Sequence, residues 1–320
     1  MYKYIFGRIL GMIPNLFIIT ILIFSLAKLA PGDPFAMQMD PGISKEDIER
    51  QRAMYGIDDP IPKQYFVWLT NVVQGDFGNS LKTKRPVNDL INERIWNTVL
   101  LAALSLFITI SIAIPLGILS ARRPYSLVDY MGTTFSFTGL SIPNFYLGLL
   151  LIFVFALHFG WFPSQGTVTT SANYTGFRLF MDKLHHALLP AIAIGTSATA
   201  IYFRYMRSEM LEVIQKDFIR TAKSKGVPER KLLFKHTLRN AMIPIITLMG
   251  FEFGALVSGA IITEKVFSWP GIGTLFLDSI LTRDYPTIMA ISLIVAIAIL
   301  IGNLIADILY SAVDPRIRYN

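Results

Sequence analysis

Residues 98–120 read TVLLAALSLFITISIAIPLGILS, and no acidic or basic side chain interrupts them. At 1.5 Å of rise per residue such a run makes a helix about 34 Å long, enough to cross a hydrocarbon core of about 30 Å. Backbone N–H and C=O groups find no water at that depth, so the run must satisfy its own hydrogen bonds, as a helix does. Working outward, spans are predicted at about 9–30, 98–120, 133–159, 187–206, 243–263 and 287–313. The expected fold is an all-α integral membrane protein with six transmembrane helices. Of 320 residues, 53% are hydrophobic and 16% charged, and the mean hydropathy is +0.50. Soluble domains are about one quarter charged. Pro143 is expected to kink the third span or mark an interfacial start. Pro115 and Pro190 are tolerable inside a bundle.

The formal net charge is +7. The basic residues gather in particular loops, so topology accounts for them better than nucleic acid does. Segment 207–242 holds nine Lys and Arg against four Asp and Glu, while loops 160–186 and 264–286 hold two basic residues each. Lys3, Arg8, Arg122, Arg123, Arg316 and Arg318 fall on the same side as 207–242. The positive-inside rule therefore predicts two cytoplasmic termini. The N-terminus begins like a signal peptide, but its apolar run is long and no small-x-small cleavage site follows. An uncleaved membrane helix is expected there.

Four regions follow: 1–30, the first transmembrane helix; 31–97, a mostly helical extracytoplasmic subdomain; 98–313, a core of five spans containing the cytoplasmic loop 207–242; and 314–320, a cytoplasmic tail. Within the second, Ser44 to Asp47 reads as a helix start, because serine caps and acids suit the positive dipole end. Tyr65, Phe66, Trp68 and Leu69 call for an apolar surface to pack on.

The chain has no cysteine and four scattered histidines, which excludes disulfides and thiolate zinc sites and argues against a metal cage. No G-x-x-x-x-G-K-[ST], H-E-x-x-H or G-x-S-x-G motif occurs, so no catalysis, metal or cofactor is expected of this chain. If it transports actively, an ion gradient or another subunit supplies the energy. A self-sufficient secondary transporter would be expected to carry internal repeats, and none is visible.

The most informative loop stretch runs from Asp217 to Arg230. It reads as helix, stop, helix. Gly226 suits the left-handed position that ends a helix, and Pro228 the first turn of the next. Ala222 is small enough for another surface to approach the backbone. On these residues alone, a solvated basic loop remains the simpler account.

The stretch Arg220-Thr221-Ala222-x3-Gly226, followed by His236-Thr237-Leu238-Arg239-Asn240-Ala241-x2-Pro244, resembles the cytoplasmic EAA loop of ABC importer permeases. Leu29-Ala30-Pro31-Gly32-Asp33-Pro34, Tyr55-Gly56-Ile57-Asp58-x-Pro60 and Gly75-Asp76-Phe77-Gly78-x-Ser80 resemble further segments of one branch. So do Phe267-Ser268-Trp269-Pro270-Gly271-Ile272-Gly273, Arg283-Asp284-Tyr285-Pro286 and Asp314-Pro315-Arg316-Ile317-Arg318. That branch is the B-type permease subunit of dipeptide, oligopeptide and nickel importers. Arg220 and Thr221 occupy motif positions that are Glu and Ala elsewhere, whereas Ala222 and Gly226 match.

The resemblance implies the type I ABC importer permease fold and a passive pathway shared with a homologous second permease subunit. It implies two cytoplasmic ATPase subunits that bind ATP and Mg, and an extracytoplasmic substrate-binding protein. It implies that Arg220, Thr221, Ala222, Gly226, Val227 and Pro228 couple this chain to an ATPase. Oligopeptides or dipeptides are the expected cargo; nickel chelates or another small solute are the alternative.

Glu252 stands in the predicted fifth span, where a charge usually faces protein or a wet cavity. It is the candidate cavity-lining residue, with Ala255 and Gly259; a structural hydrogen bond to a neighbouring helix is the alternative. Gly250, Gly254 and Ser258 form a small-residue stripe suited to close helix packing, and Glu252 lies about 200° round the helix from Gly250. Asn303 and Asp307 are expected to bond between helices, or to form a gate with Arg204. His185 and His186 are expected to have an interfacial structural role.

Overall fold

The computed structural model describes residues 2–29, 59–257 and 261–313, with backbone alone at 2–5, 251–257 and 310–313. Among the described residues, the secondary structure is helical apart from one isolated bridge between Asn79 and Pro86. Helix α1 spans Tyr2–Leu29 and α2 spans Ile61–Val73. Helix α3, Val87–Arg122, contains the run 98–120 and begins well before it. Helix α4 is Leu127–Ser141, and α5 is Asn144–Leu151, prolonged by a π-helical stretch at Ile152–His158. Helix α6, Gly176–Ile214, has 39 residues. Helix α7, Asp217–Ser224, is followed by a short turn and a π-helical stretch at Leu232–Thr237, which lead into α8, Leu238–Val257. Helices α9 (Ile261–Val266), α10 (Ile272–Leu281) and α11 (Tyr285–Val313) complete the described chain.

Four helices are long and apolar enough to cross a membrane: α1, α3, α6 and α11. Helix α4 and the α5 unit pass the same test together but are bent by 103°, so the described residues give four crossings, or five if the bent pair is one. The predicted span 243–263 falls on α8, on residues outside the description and on the start of α9. The kink expected at Pro143 is a right-angled break. The residue before a proline is driven out of the helical region, and Ile142 is extended at φ −89° and ψ 120°. Helix α4 stops there, and α5 restarts with Pro143 as its N-cap.

Helices α3 and α6 form the centre. A Cβ on Gly195 would lie 3.2 Å from the Ser105 carbonyl oxygen, and one on Gly117 would lie 2.7 Å from Met206 Cβ. Such close approach is what small residues permit between membrane helices. The two contacts advance together along both helices, so α3 and α6 run parallel, with α4 and α5 returning the chain. Helix α6 is the central element: 72% of its apolar window is buried, against 11–28% for the other three long spans. Tyr202, Phe203, Met206 and Met210 bury its lower half against Ala113, Ile118, Ala241 and Ile245. Toward the other end, Leu189 and Ile194 pack with Leu101, Phe267 and Trp269.

Helix α11 lies against α8, where a Cβ on Gly250 would meet Ala306 Cβ and, at 2.8 Å, the Gly302 carbonyl oxygen. It is tied to α1 by Asp307 and Arg8 at 3.2 Å. Tyr65, Trp68 and Leu69 of α2 find their apolar surface on Phe24 and Met289, while Phe66 stays exposed. The Tyr65 and Thr20 hydroxyls are 2.9 Å apart. The expected helix start at Ser44 to Asp47 lies outside the described residues.

Candidate functional site

The loop end of the bundle carries α7 and the turn between α3 and α4. Asp217 opens α7 and Lys223 lies in its last turn, each suiting the helix dipole. Ile219 is buried and seats α7 against Met210, Val213 and Ala241. The Val227 N–H donates to the Ala222 carbonyl at 3.2 Å, and the Gly226 N–H to the Lys223 carbonyl at 3.0 Å. With Gly226 at φ +74°, this is the Schellman arrangement that closes a helix C-terminus. Three residues singled out in the sequence, Ala222, Gly226 and Val227, thus form one hydrogen-bonded unit. Pro228 precedes the next turn of helix as its N-cap, one position earlier than expected. Its carbonyl accepts from the Leu232 N–H at 2.9 Å.

Helical geometry places Ala222 near the Ile219 side, and it is half-buried, so part of its surface faces the protein itself. Phe218, Arg220, Thr221 and Lys225 are exposed. Arg220 lies 3.8 Å from Asp217, an exposed pair that contributes little. The turn beside α7 is held from two directions. Buried Asp129 accepts from Arg207 Nε at 2.6 Å and Nη2 at 2.8 Å, from the Tyr125 N–H at 2.8 Å, and from the Ser120 hydroxyl. Arg122 donates to Glu229 Oε1 through Nε at 3.2 Å and Nη2 at 3.1 Å. Charge counting placed these arginines in loops but did not find their partners.

The opposite, cap end is organised by two buried carboxylates that the sequence reading did not single out as site residues. Glu264, fully buried, accepts from Thr98 Oγ1 at 3.1 Å and from the Thr274 N–H at 2.9 Å. Burial pushes its carboxyl above the usual carboxylate range, while those hydrogen bonds act the other way. A Cβ on Gly271 would collide with this carboxylate. Asp284, 3% exposed, accepts from Ser80 Oγ at 2.6 Å, Thr287 Oγ1 at 2.7 Å and the Leu81 N–H at 2.9 Å. Trp269 Nε1 donates to the Asn97 carbonyl at 3.2 Å. The quoted segments 75–80 and 283–286 therefore meet in space, and 267–273 is held against the start of the 98–120 run.

Glu252 and Ala255 lie on α8, but their side chains, and Gly259 altogether, fall outside the description. The gate pairing of Asp307 with Arg204 is not formed: Asp307 bonds Arg8, and Arg204 sits over the Phe137 ring, 5.5 Å from its centroid. His186 Nδ1 is 2.9 Å from the Asp182 carbonyl oxygen, and His185 Nε2 is 3.0 Å from that of Trp161. Both histidines thus make local structural bonds. No cluster of His, Cys, Asp and Glu able to hold a metal is found among the described residues.

Comparison with known proteins adds two findings. Residues 113–319 match the family described as binding-protein-dependent transport system inner membrane component, and residues 1–102 match its N-terminal membrane component. The chain is 50% identical over 320 residues to the oligopeptide transport system permease protein AppB of Bacillus subtilis, covering 100% of both. It is 41% identical over 321 residues to a putative peptide permease protein of Brucella suis, covering 99% of both. It is 39% identical over 319 residues to the glutathione transport system permease protein GsiC of Escherichia coli K12, covering 100% of both.

Proposed function

We infer the function from one premise: this chain belongs to the family of binding-protein-dependent transport system inner membrane components. It is a pathway-forming permease subunit of an ATP-driven ABC importer, and its cargo is a peptide. Full-length similarity to relatives named for oligopeptide and glutathione transport supports the cargo class. The finer reading is six crossings, with α8 as one of them, both termini and loop 207–242 in the cytoplasm, and residues 31–97 as an extracytoplasmic subdomain. The cap end then faces the substrate-binding protein, and the loop end faces two ATPases that bind ATP and Mg. A homologous second permease completes the pathway, and Glu252, Ala255 and Gly259 line it.

The observation that carries the coupling reading is the construction of α7. Buried Ile219 anchors it, the 222–227 closure makes it a rigid stub, and Phe218, Thr221 and Lys225 face outward. A merely solvated loop needs no such seat. Residues Arg220, Thr221, Ala222, Gly226, Val227 and Pro228 belong to this stub, which an ATPase groove grips. The test is reconstitution of the complete importer with Ala222→Glu and Gly226→Val. Normal membrane levels with lost ATPase co-purification and lost peptide uptake are expected. Unchanged uptake in both variants would reduce the loop to a basic anchor. Reporter fusions at 125 and 225 are expected inside and at 170 and 275 outside; the purified chain alone is expected to hydrolyse no ATP.

A further inference from the structure

Helix α6 is the most buried of the long spans, yet past its exposed first turns it shows one stripe: Ile201, Arg204, Tyr205, Ser208 and Glu212. Beside it, α4, which is exposed round most of its circumference, carries Thr134, Phe137, Thr138 and Ser141 at the i, i+3, i+4, i+7 spacing of a single helix face. The Arg204 guanidinium joins the two stripes by lying over the Phe137 ring, within the range of a cation–π contact. Arg207, one turn on, is satisfied by Asp129. Arg204, about 4.5 Å of helical rise nearer the membrane middle, has no ion pair among the described residues. A charge turned to hydrocarbon costs about 2.5–3.5 kcal/mol on insertion scales, so this face is wet or covered by protein. Helix α1 shows what a lipid face looks like in this chain: Ile9, Leu10, Ile13, Phe17, Ile18, Ile21 and Leu22.

We propose that Arg204, held over Phe137, is a carboxylate-binding station at the loop end of the pathway, and that it takes the C-terminal carboxylate of the peptide in transit. The proposal rests on the peptide reading above. Contact with the ring face leaves the edge N–H groups of the guanidinium open, and that fork matches a carboxylate. A linear peptide carries a C-terminal carboxylate whatever its side chains, so a pathway tolerant of sequence can still read it. The Thr138 and Ser141 hydroxyls donate back to the Thr134 and Phe137 carbonyls at 2.9 and 2.8 Å. Their lone pairs are left to accept from peptide N–H groups. One solvated guanidinium holds cargo weakly enough to release it, as a conducting path requires.

The test uses the complete importer, with its ATPases, second permease and binding protein, in liposomes. Uptake of trialanine and of trialanine amide is measured in the wild type, Arg204→Gln, Arg204→Lys and Phe137→Leu. The binding protein is common to all four, so the acid-to-amide ratio relative to wild type reports the permease. Arg204→Gln is expected to lower acid uptake about tenfold, the scale of a lost charged hydrogen bond, and amide uptake less than about twofold. Arg204→Lys falls between, and Phe137→Leu lowers acid uptake about threefold, the scale of an exposed cation–π contact. Equal loss for acid and amide, or no loss, overturns the proposal. Equal loss together with poor complex assembly assigns Arg204 to a partner subunit or a lipid headgroup and overturns it equally. Absence of trialanine uptake by the wild type removes the peptide reading and takes this proposal with it. Wild-type uptake that ignores Arg204→Gln removes this proposal alone.

Discussion

The two ends of this molecule are held together in different ways. At the cap end, Glu264 and Asp284 are buried and accept hydrogen bonds from residues far away in the chain, including backbone N–H groups. At the loop end beyond Asp129, the pairs Arg122–Glu229, Lys216–Glu212 and Arg220–Asp217 lie at the surface, and α7 is anchored mainly by Ile219. Buried carboxylates with several donors make a stiff unit, because removing any partner strands the rest without water. Exposed pairs contribute little and are easily exchanged. The cap end is built to keep its shape, and the loop end presents a short helix closed by its own backbone hydrogen bonds.

Five substitutions test that contrast, and the largest effect belongs to the cap. Asp284→Ala removes the acceptor of the Ser80 and Thr287 hydroxyls and of the Leu81 N–H, at about 1–3 kcal/mol for each group that stays buried and unsatisfied. A thermal unfolding midpoint lowered by several degrees in detergent is expected. A midpoint within one degree of wild type would mean that the cap is not a stiff unit. Gly271→Ala is expected to do similar damage by pressing on the Glu264 carboxylate.

The second effect is smaller in stability and larger in function. Gly226→Val puts a Cβ at φ +74°, where strain costs about 1–2 kcal/mol, with nothing else in its way. The midpoint should move little while uptake is lost. A large stability loss with retained uptake would reverse the assignment of roles to the two ends.

The smallest effect is expected at the surface pair. Arg122→Ala removes the contact with Glu229 and should change stability by less than about 1 kcal/mol. Uptake should stay above half of wild type; a loss as deep as that of Gly226→Val would make the pair part of the coupling path. Lys225→Glu is likewise expected to be mild in stability. Its effect on ATPase co-purification reports whether the outward face of α7, or only its backbone closure, is gripped.

Legibility followed chain distance. The helix, glycine and proline at 217–230 could be read because a Schellman closure involves neighbours, and Ala222, Gly226 and Val227 lie close together in the chain. The break at Pro143 was visible as a disturbance, but its size was not, since a proline states that a helix stops and not where the chain then goes. Glu264 passed unnoticed beside Glu252, although it is the described carboxylate with no exposure at all. Its partner Thr98 is 166 residues away, and no local pattern marks the pair.

Apolar runs of membrane length, loop charge and the helix-stop-helix signal are properties of neighbouring residues. The sequence by itself therefore determined a helical membrane protein, its expected orientation and the position of the short helix that ends at Gly226. The tertiary structure decided which helix is central, because burial depends on which small residues meet, here Gly117 with Met206 and Gly195 with Ser105. It also decided what each charge does. Arg204 and Arg207 are three residues apart on one helix and alike in sequence. One finds Asp129, 78 residues upstream, while the other lies over an aromatic ring on an open face. A side chain's partner is set by the packing of distant segments, and that information is absent from any stretch of chain read alone.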